Sequence, residues 1–245
     1  MNKEILIVLL SGGISLLASY LTYEVKERRK RRLAKSSQRE QILDKYREFI
    51  SSSAYDLQSR VYNIVVKGFL KRWGKGDNEV YRHNAIYYTL FLFGQFFCWR
   101  EIFRKELRFL TFKEGKEEIN LLEHLTNLEG TFSKSGTGDD NFMVFRGNQR
   151  AIGESMIKVN PASKSLESIG FAAFIEKYQE KAFQRWFINL EQSIRRCMEI
   201  EEDEGIHFLR LTEIQRHLID LIDELDPNYI RFKKFRSKIP LPPKG

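Results

Sequence analysis

AIYYTLFLFGQFFCW, residues 85–99, is fifteen residues without a charge and dense in aromatic side chains. Its reading decides what kind of protein follows. A membrane-spanning helix needs about 17 or more predominantly apolar residues, and this run is closed by Arg82 and His83 on one side and by Arg100 and Glu101 on the other. A helix that is apolar nearly all round belongs in the middle of a protein, covered by its neighbours. The stretch is therefore read as the central helix of a bundle, with a short or interfacial membrane helix as the competing reading. Ile102, Phe103, Leu107 and Leu110 continue it with one apolar face.

The neighbours are written on either side. Ser37 followed by Glu40 fits a capping box. After it Ile42, Leu43, Tyr46, Phe49, Ile50, Leu57, Val61, Ile64, Val65 and Phe69 recur at helical spacings, up to a Gly-rich turn at residues 73–78. That turn is not a phosphate loop: five residues separate Gly68 from Gly74-Lys75 and Gly76 stands where Ser or Thr is required. Ile119, Leu122, Leu125, Leu128 and Phe132 mark the next helix, followed by a solvated loop over 133–141. Phe142 to Phe145 read as a short strand or an extended lead-in to a short helix capped by Asn148, and residues 160–163 as a loop. Further helical faces run from Phe171 to Met198 and from Leu209 to Leu225; acids crowd at 199–204, and Asp226-Pro227 stops the last helix. The tail after Arg231 is basic and then Pro-rich, with polyproline character.

Upstream lies ILIVLLSGGISLLASYLTY, residues 5–23, uncharged for 19 residues. As a helix rising about 1.5 Å per residue it covers roughly the 30 Å hydrocarbon core of a bilayer. Only Lys3, beside Glu4, precedes it, and large residues stand where a cleavage site needs small ones, so it is read as an anchor and not a signal peptide. Lys26, Arg28, Arg29, Lys30, Arg31, Arg32 and Lys35 follow at once. Positive charge collects on the cytoplasmic side of a span, which places Met1 outside and the bulk of the chain in the cytoplasm at the inner membrane. Ser11, Ser15 and Ser19, beside Gly12 and Gly13, make a small-residue face through which two copies could pair. The organisation expected is all-α: a short outer N-terminus (1–4), a single transmembrane helix (5–23), a basic juxtamembrane segment (24–37), a multi-helix cytoplasmic bundle (38–236) and a Pro-rich tail (237–245).

The net charge of +8 is local. Residues 24–39 and 229–245 each contribute +6, which leaves the remainder of the chain at −4. Such windows suit anionic lipid headgroups or an acidic partner, whereas a nucleic-acid-binding domain spreads its Lys and Arg over a folded face. Nucleic acid is accordingly not an expected partner. Cys98 and Cys197 lie far apart without a CxxC partner, as befits reduced thiols.

Chemistry leaves few traces. Metal ligands would have to converge, yet the histidines stand scattered at 83, 124, 207 and 217. Glu204 and His207 have E-x-x-H spacing without the second copy that a di-iron bundle needs. Glu213 and His217, four apart on one helix, read as a surface pair. No nucleophile motif or dinucleotide fingerprint occurs, so neither a catalytic residue nor a cofactor or metal is assigned. Arg146, Gln149, Arg150 and Glu154 are the best candidates for a ligand pocket, able to hold an anionic or amide group through the Arg donors; an Arg/Glu network bridging helices competes with that reading.

FLFGQFFCWREIFRKELRFL, FMVFRGNQRAIGE, FQRWFINL and HLIDLIDELDP together resemble stretches of a family of uncharacterised bacterial helical proteins without an assigned activity. The resemblance spans roughly residues 80–235. It implies a shared cytoplasmic module and carries over no site. The expected role is a membrane-anchored interaction or scaffold module, with a membrane-tethered ligand sensor or enzyme using the Arg146 pocket as the alternative.

Overall fold

The computed structural model describes the backbone of residues 3–107, 116–135, 140–199 and 208–241. Side chains are described from residue 19 onward within those ranges, except 32, 35, 36, 38–40, 42, 43, 107 and 116–119. Two compact units make up the chain, Met1–Asp44 and Lys45–Gly245. The architecture is helical, as expected, with one small hairpin among the described residues.

Helix α1 runs Lys3–Lys67. No Gly or Pro interrupts it after Gly13, and the capping box expected at Ser37 is not used, because the backbone there is already helical and offers no free N–H to cap. Its end is set by Gly68, whose φ of +58° is the left-handed conformation that closes helices. The helix thus stops short of the Gly-rich turn, and α2 (Phe69–Gly74) intervenes.

In the first unit, Tyr20, Leu21, Tyr23, Val25 and Leu33 are exposed. Arg28 and Arg31 lie 3.3 Å and 3.7 Å from Glu24 and Glu27 one turn earlier. Among the described residues no helix is long and apolar enough to cross a membrane. Most of the expected span, residues 5–18, falls where side chains lie outside the described residues. So do two of the three serines of the pairing face, Ser11 and Ser15; Ser19 is exposed.

The second unit is built round the aromatic stretch. α3 (Glu79–His83), a π-helical turn (Asn84–Tyr88) and α4 (Thr89–Leu107) follow one another without a break. Leu90, Phe93, Phe96, Phe97, Ile102 and Phe103 are all but inaccessible. Fully burying each such side chain contributes about 1.5–3 kcal/mol. From α1, Tyr46, Ile50, Leu57, Val61 and Ile64 join this core, and Phe49 stacks on Trp99 at 4.3 Å. α5 (Lys116–Ser133) packs against α10 (Leu209–Leu225), and α6 (Arg146–Ser155) against α4. α6 can approach α4 so closely because Gly153 faces it: a Cβ there would lie 2.6 Å from the Phe97 carbonyl oxygen.

No strand forms at Phe142–Phe145: Phe142 sits in a turn with a left-handed φ of +57°, its N–H donating to Ser193 Oγ at 2.9 Å, and Met143 to Phe145 lead into the helix, with the Val144 N–H donating to the Phe132 carbonyl at 2.8 Å. Asn148 does not cap the helix that follows. Phe145 occupies the cap position, already extended, so α6 starts two residues before Asn148. A hairpin of β1 (Ile157–Val159) and β2 (Leu166–Ser168) comes next, antiparallel with Ile157 opposite Ser168. α7 (Phe171–Lys177), α8 (Lys181–Gln184) and α9 (Ile188–Glu199) complete the shell, Phe174 meeting Phe183 and Phe187 edge-on.

Beyond α10 the chain turns at residues 227–231, continues without regular secondary structure, and crosses back over α1 and α10. Asp226 ties the start of this segment by accepting from the N–H groups of Ile230, Arg231 and Phe232. Three basic side chains of the second window are paired within the chain, while Lys233 and Lys234 are exposed. Arg231 meets Glu48 at 3.0 Å, Arg236 meets Asp223 and Asp226, and Lys238 meets Asp220. The acids are the chain's own, supplied by α1 and by the last two turns of α10.

Candidate functional site

The four residues expected to form a pocket are split by the helix that carries them. Gln149, Ile152, Gly153 and Met156 share the buried face of α6, whereas Arg146, Arg150 and Glu154 are exposed. Gln149 is fully buried and all its polar atoms are used. It accepts from Arg100 Nη1 at 2.7 Å and donates to the carbonyls of Val144 at 2.7 Å and Glu129 at 3.1 Å.

Arg100, on α4, is itself buried, which pushes its guanidinium below its usual range against the pull of Glu129 and Glu101. Its second nitrogen lies 3.9 Å from Glu129 Oε1. One residue on, the buried Glu101 carboxylate is held by Arg104 at 2.6 Å and 2.8 Å. Lys105 bridges outward from Glu101 to Glu154, 3.2 Å away. Arg100, Gln149 and Glu129 therefore lock α4, α5 and α6 together, and no face of Gln149 is left for a ligand. Gln149 thus pairs with Arg100 and Glu154 with Lys105, both partners coming from α4.

Arg146 faces elsewhere. It stands on the rim of an open cleft of about 1030 Å³ between α5, the start of α6 and α10. Lys134, Glu213, Arg216, His217 and Asp220 also line it. Thr126, Thr131 and Ser133 donate their hydroxyls back to backbone carbonyls of α5, so their oxygens present acceptors to the cleft. Arg216 donates to the Ile239 carbonyl at 2.9 Å. Burial pushes the His217 imidazole below its ordinary value; Asp220 and Glu213 pull it up, and His124 and Lys238 push it further down. Arg146 and Lys134 supply cationic donors, and Glu213 with the hydroxyl oxygens supplies acceptors. That mixture can hold a polar ligand. It does not pair a nucleophile with a base.

Elsewhere the chemistry is muted. Burial pushes the Cys98 thiol up to about 12, and Cys197 is buried as well. A thiol that stays protonated is neither nucleophile nor ligand. Among the described residues no group of three or more His, Cys, Asp or Glu could hold a metal. Glu204 and His207 lie outside the described residues. Lys26, Arg28, Arg29, Lys30 and Arg31 are exposed along α1; the side chains of Arg32 and Lys35 lie outside the description.

Two buried amides were not singled out by the sequence. Gln58 of α1 and Gln215 of α10 meet at 3.3 Å and hold the C-terminal segment by its backbone. Their signal was a polar residue on an apolar stripe: Gln215 lies between Leu211, Ile214 and Leu218, where a side chain without a partner would be costly.

No protein-family model, no curated protein and no solved structure matches the chain. Function is therefore argued from these residues.

Proposed function

We propose that the chain is a membrane-anchored helical interaction module, in which residues 5–23 cross the inner membrane, the N-terminus lies outside and the bundle works in the cytoplasm. The observation that carries this reading is the exposed basic stretch of α1 directly after the apolar run, a helix continuous with it and lined by Lys26, Arg28, Arg29, Lys30 and Arg31. Each basic residue close to an anionic leaflet contributes about 1 kcal/mol of attraction. Two further points support it. The bundle core is closed by aromatic side chains, and Arg100, Gln149 and Glu129 at its centre are spent on one another, as suits a module that presents surfaces. On this view the family resemblance over residues 80–235 marks a shared bundle.

Fractionation tests the reading. Full-length protein stays with membranes after a high-salt wash, and removal of residues 1–36 releases it. Recovery of the full chain in the soluble fraction refutes the anchor.

A second reading is favoured by one observation, the cleft that Arg146 shares with Lys134, Arg216 and His217. It makes the bundle a membrane-tethered sensor of a small polar anion. Titration with inorganic phosphate or a dicarboxylate, followed by the chemical shifts of His217, tests it; shifts that do not move remove it.

A further inference from the structure

The stretch from Lys234 to Ile239 is held as a ligand is held. It has no regular secondary structure and turns at Phe235, and the bundle grips its main chain with side chains. Tyr55 Oη donates to the Lys234 carbonyl at 3.3 Å, and Gln58 Nε2 to that of Phe235 at 3.0 Å. Gln215 reads two groups at once, donating to the Ser237 carbonyl at 3.0 Å and accepting from the Ile239 N–H at 3.0 Å. Arg216 donates to the Ile239 carbonyl. Gln58 and Gln215 are 1% and 0% exposed. Burying two amides is costly unless each has partners, and here the partners are each other and the backbone of this segment.

Side-chain recognition accompanies this main-chain grip, as in grooves that take extended peptides. Ile239 is buried, 5% exposed. Charge complementarity precedes it in the chain, with Lys238 on Asp220 and Arg236 on Asp223. The segment is also strained. Phe235 has φ of +59°, a conformation that bulky L-residues avoid, although its side chain is 70% exposed. Such strain persists only where the surroundings impose it, and it gathers at clamps and switches. Beside Phe235 the groove continues along α1 as a cavity of about 270 Å³ lined by Ser59, Tyr62, Asn63 and Lys67, which the segment does not fill.

We propose that the face formed by α1 and α10 is a recognition groove for a basic peptide segment carrying a branched apolar residue after a Lys, and that residues 234–241 are its releasable occupant in cis. The groove gives the interaction module proposed above a partner chemistry. It lies wholly within Lys45–Gly245 and does not depend on the anchor, so loss of membrane association would leave it standing.

A synthetic peptide of residues 229–241 with a fluorescent label serves as the probe, titrated against three forms of the chain. The full-length protein binds it weakly, because the tethered segment competes at an effective concentration on the order of millimolar. A chain ending at Asn228 binds it at least about tenfold more tightly, given the loss of that competitor. Full-length protein carrying Lys238→Glu and Ile239→Asp, in which the segment is loosened but not removed, gains in the same direction. Adding Gln215→Ala to the truncated chain abolishes the gain. Equal binding by all forms, or no binding by a truncated chain that keeps its helical circular dichroism, overturns the proposal. If the truncated chain and the double variant both fail to fold, the segment is an integral part of the core and the proposal is overturned as well.

Discussion

Replacing Gln149 with Leu removes three hydrogen bonds while nearly conserving volume, and the structure sets the size of the effect. The Leu cannot accept from Arg100, which loses its 2.7 Å partner and keeps only Glu129 at 3.9 Å. A buried charged donor left short of a partner costs about 1.5–3 kcal/mol. The Val144 carbonyl loses its 2.7 Å donor, at about 1 kcal/mol or more. The Glu129 carbonyl suffers less, because Ser133 Oγ also donates to it at 2.9 Å. The sum is about 3–5 kcal/mol, a large fraction of the roughly 5–15 kcal/mol by which a domain is stable. Urea titration followed by circular dichroism measures it as a fall in midpoint at constant slope. The double variant Arg100→Met with Gln149→Leu should recover part of the loss, because it removes the orphaned charge together with its acceptor. A single-variant loss below about 1 kcal/mol, or a double variant equal to the sum of the singles, would refute the view that Arg100 and Gln149 form one unit.

Gly153→Ala should destabilise by about 1–3 kcal/mol despite the better helix propensity of Ala. The new Cβ meets the Phe97 carbonyl at 2.6 Å and Glu101 Cβ at 2.9 Å, and a helix backbone cannot swing aside; a thermal melt at or above the wild-type midpoint would contradict this. His217 gives a pH signature. Its value is depressed below the ordinary 6.5 by burial, so the unfolded chain binds the proton more readily than the folded one. The contribution is fully present above 6.5 and is lost as pH falls through that value. Urea midpoints at about pH 7.5 and 5.5 should differ less in His217→Gln than in the parent; an unchanged difference rejects the assignment.

Helical periodicity made most of the bundle legible. Leu211, Ile214, Leu218, Leu221, Ile222 and Leu225 lie buried along α10, and the aromatic run at 85–99 is the central helix. Where two local signals competed, pattern alone did not choose. Ser37 and Glu40 carry a helix start that a continuous helix overrides, and Asn148 is a good cap made redundant by an extended Phe145. The hairpin at 157–168 has strands of three residues, too short for an alternating pattern to declare itself. The candidate pocket shows the same limit. Arg146, Gln149, Arg150 and Glu154 are polar alike, and only packing against Phe97 and Glu101 settles that Gln149 turns inward. The basic tail was legible as charge, but its acids lie on Glu48, Asp220, Asp223 and Asp226, distant in sequence or on a helix whose outward face was unknown.

The π-helical turn at Asn84–Tyr88 has a bearing on chain length. A turn of this kind holds one residue more than an α turn, and an α-helix advances about 100° per residue. Everything before Asn84 is thereby rotated by about that angle relative to the aromatic ladder after Tyr88. Tyr81 meets Trp73 edge-on at 5.4 Å in this phase, while Phe91 and Phe93 point into the core. Deleting the exposed Asn84 would restore a uniform α-helix without removing a buried side chain, at the cost of turning Tyr81 off Trp73. The turn therefore works as an indexing joint, setting the outer aromatic pair independently of the inner one.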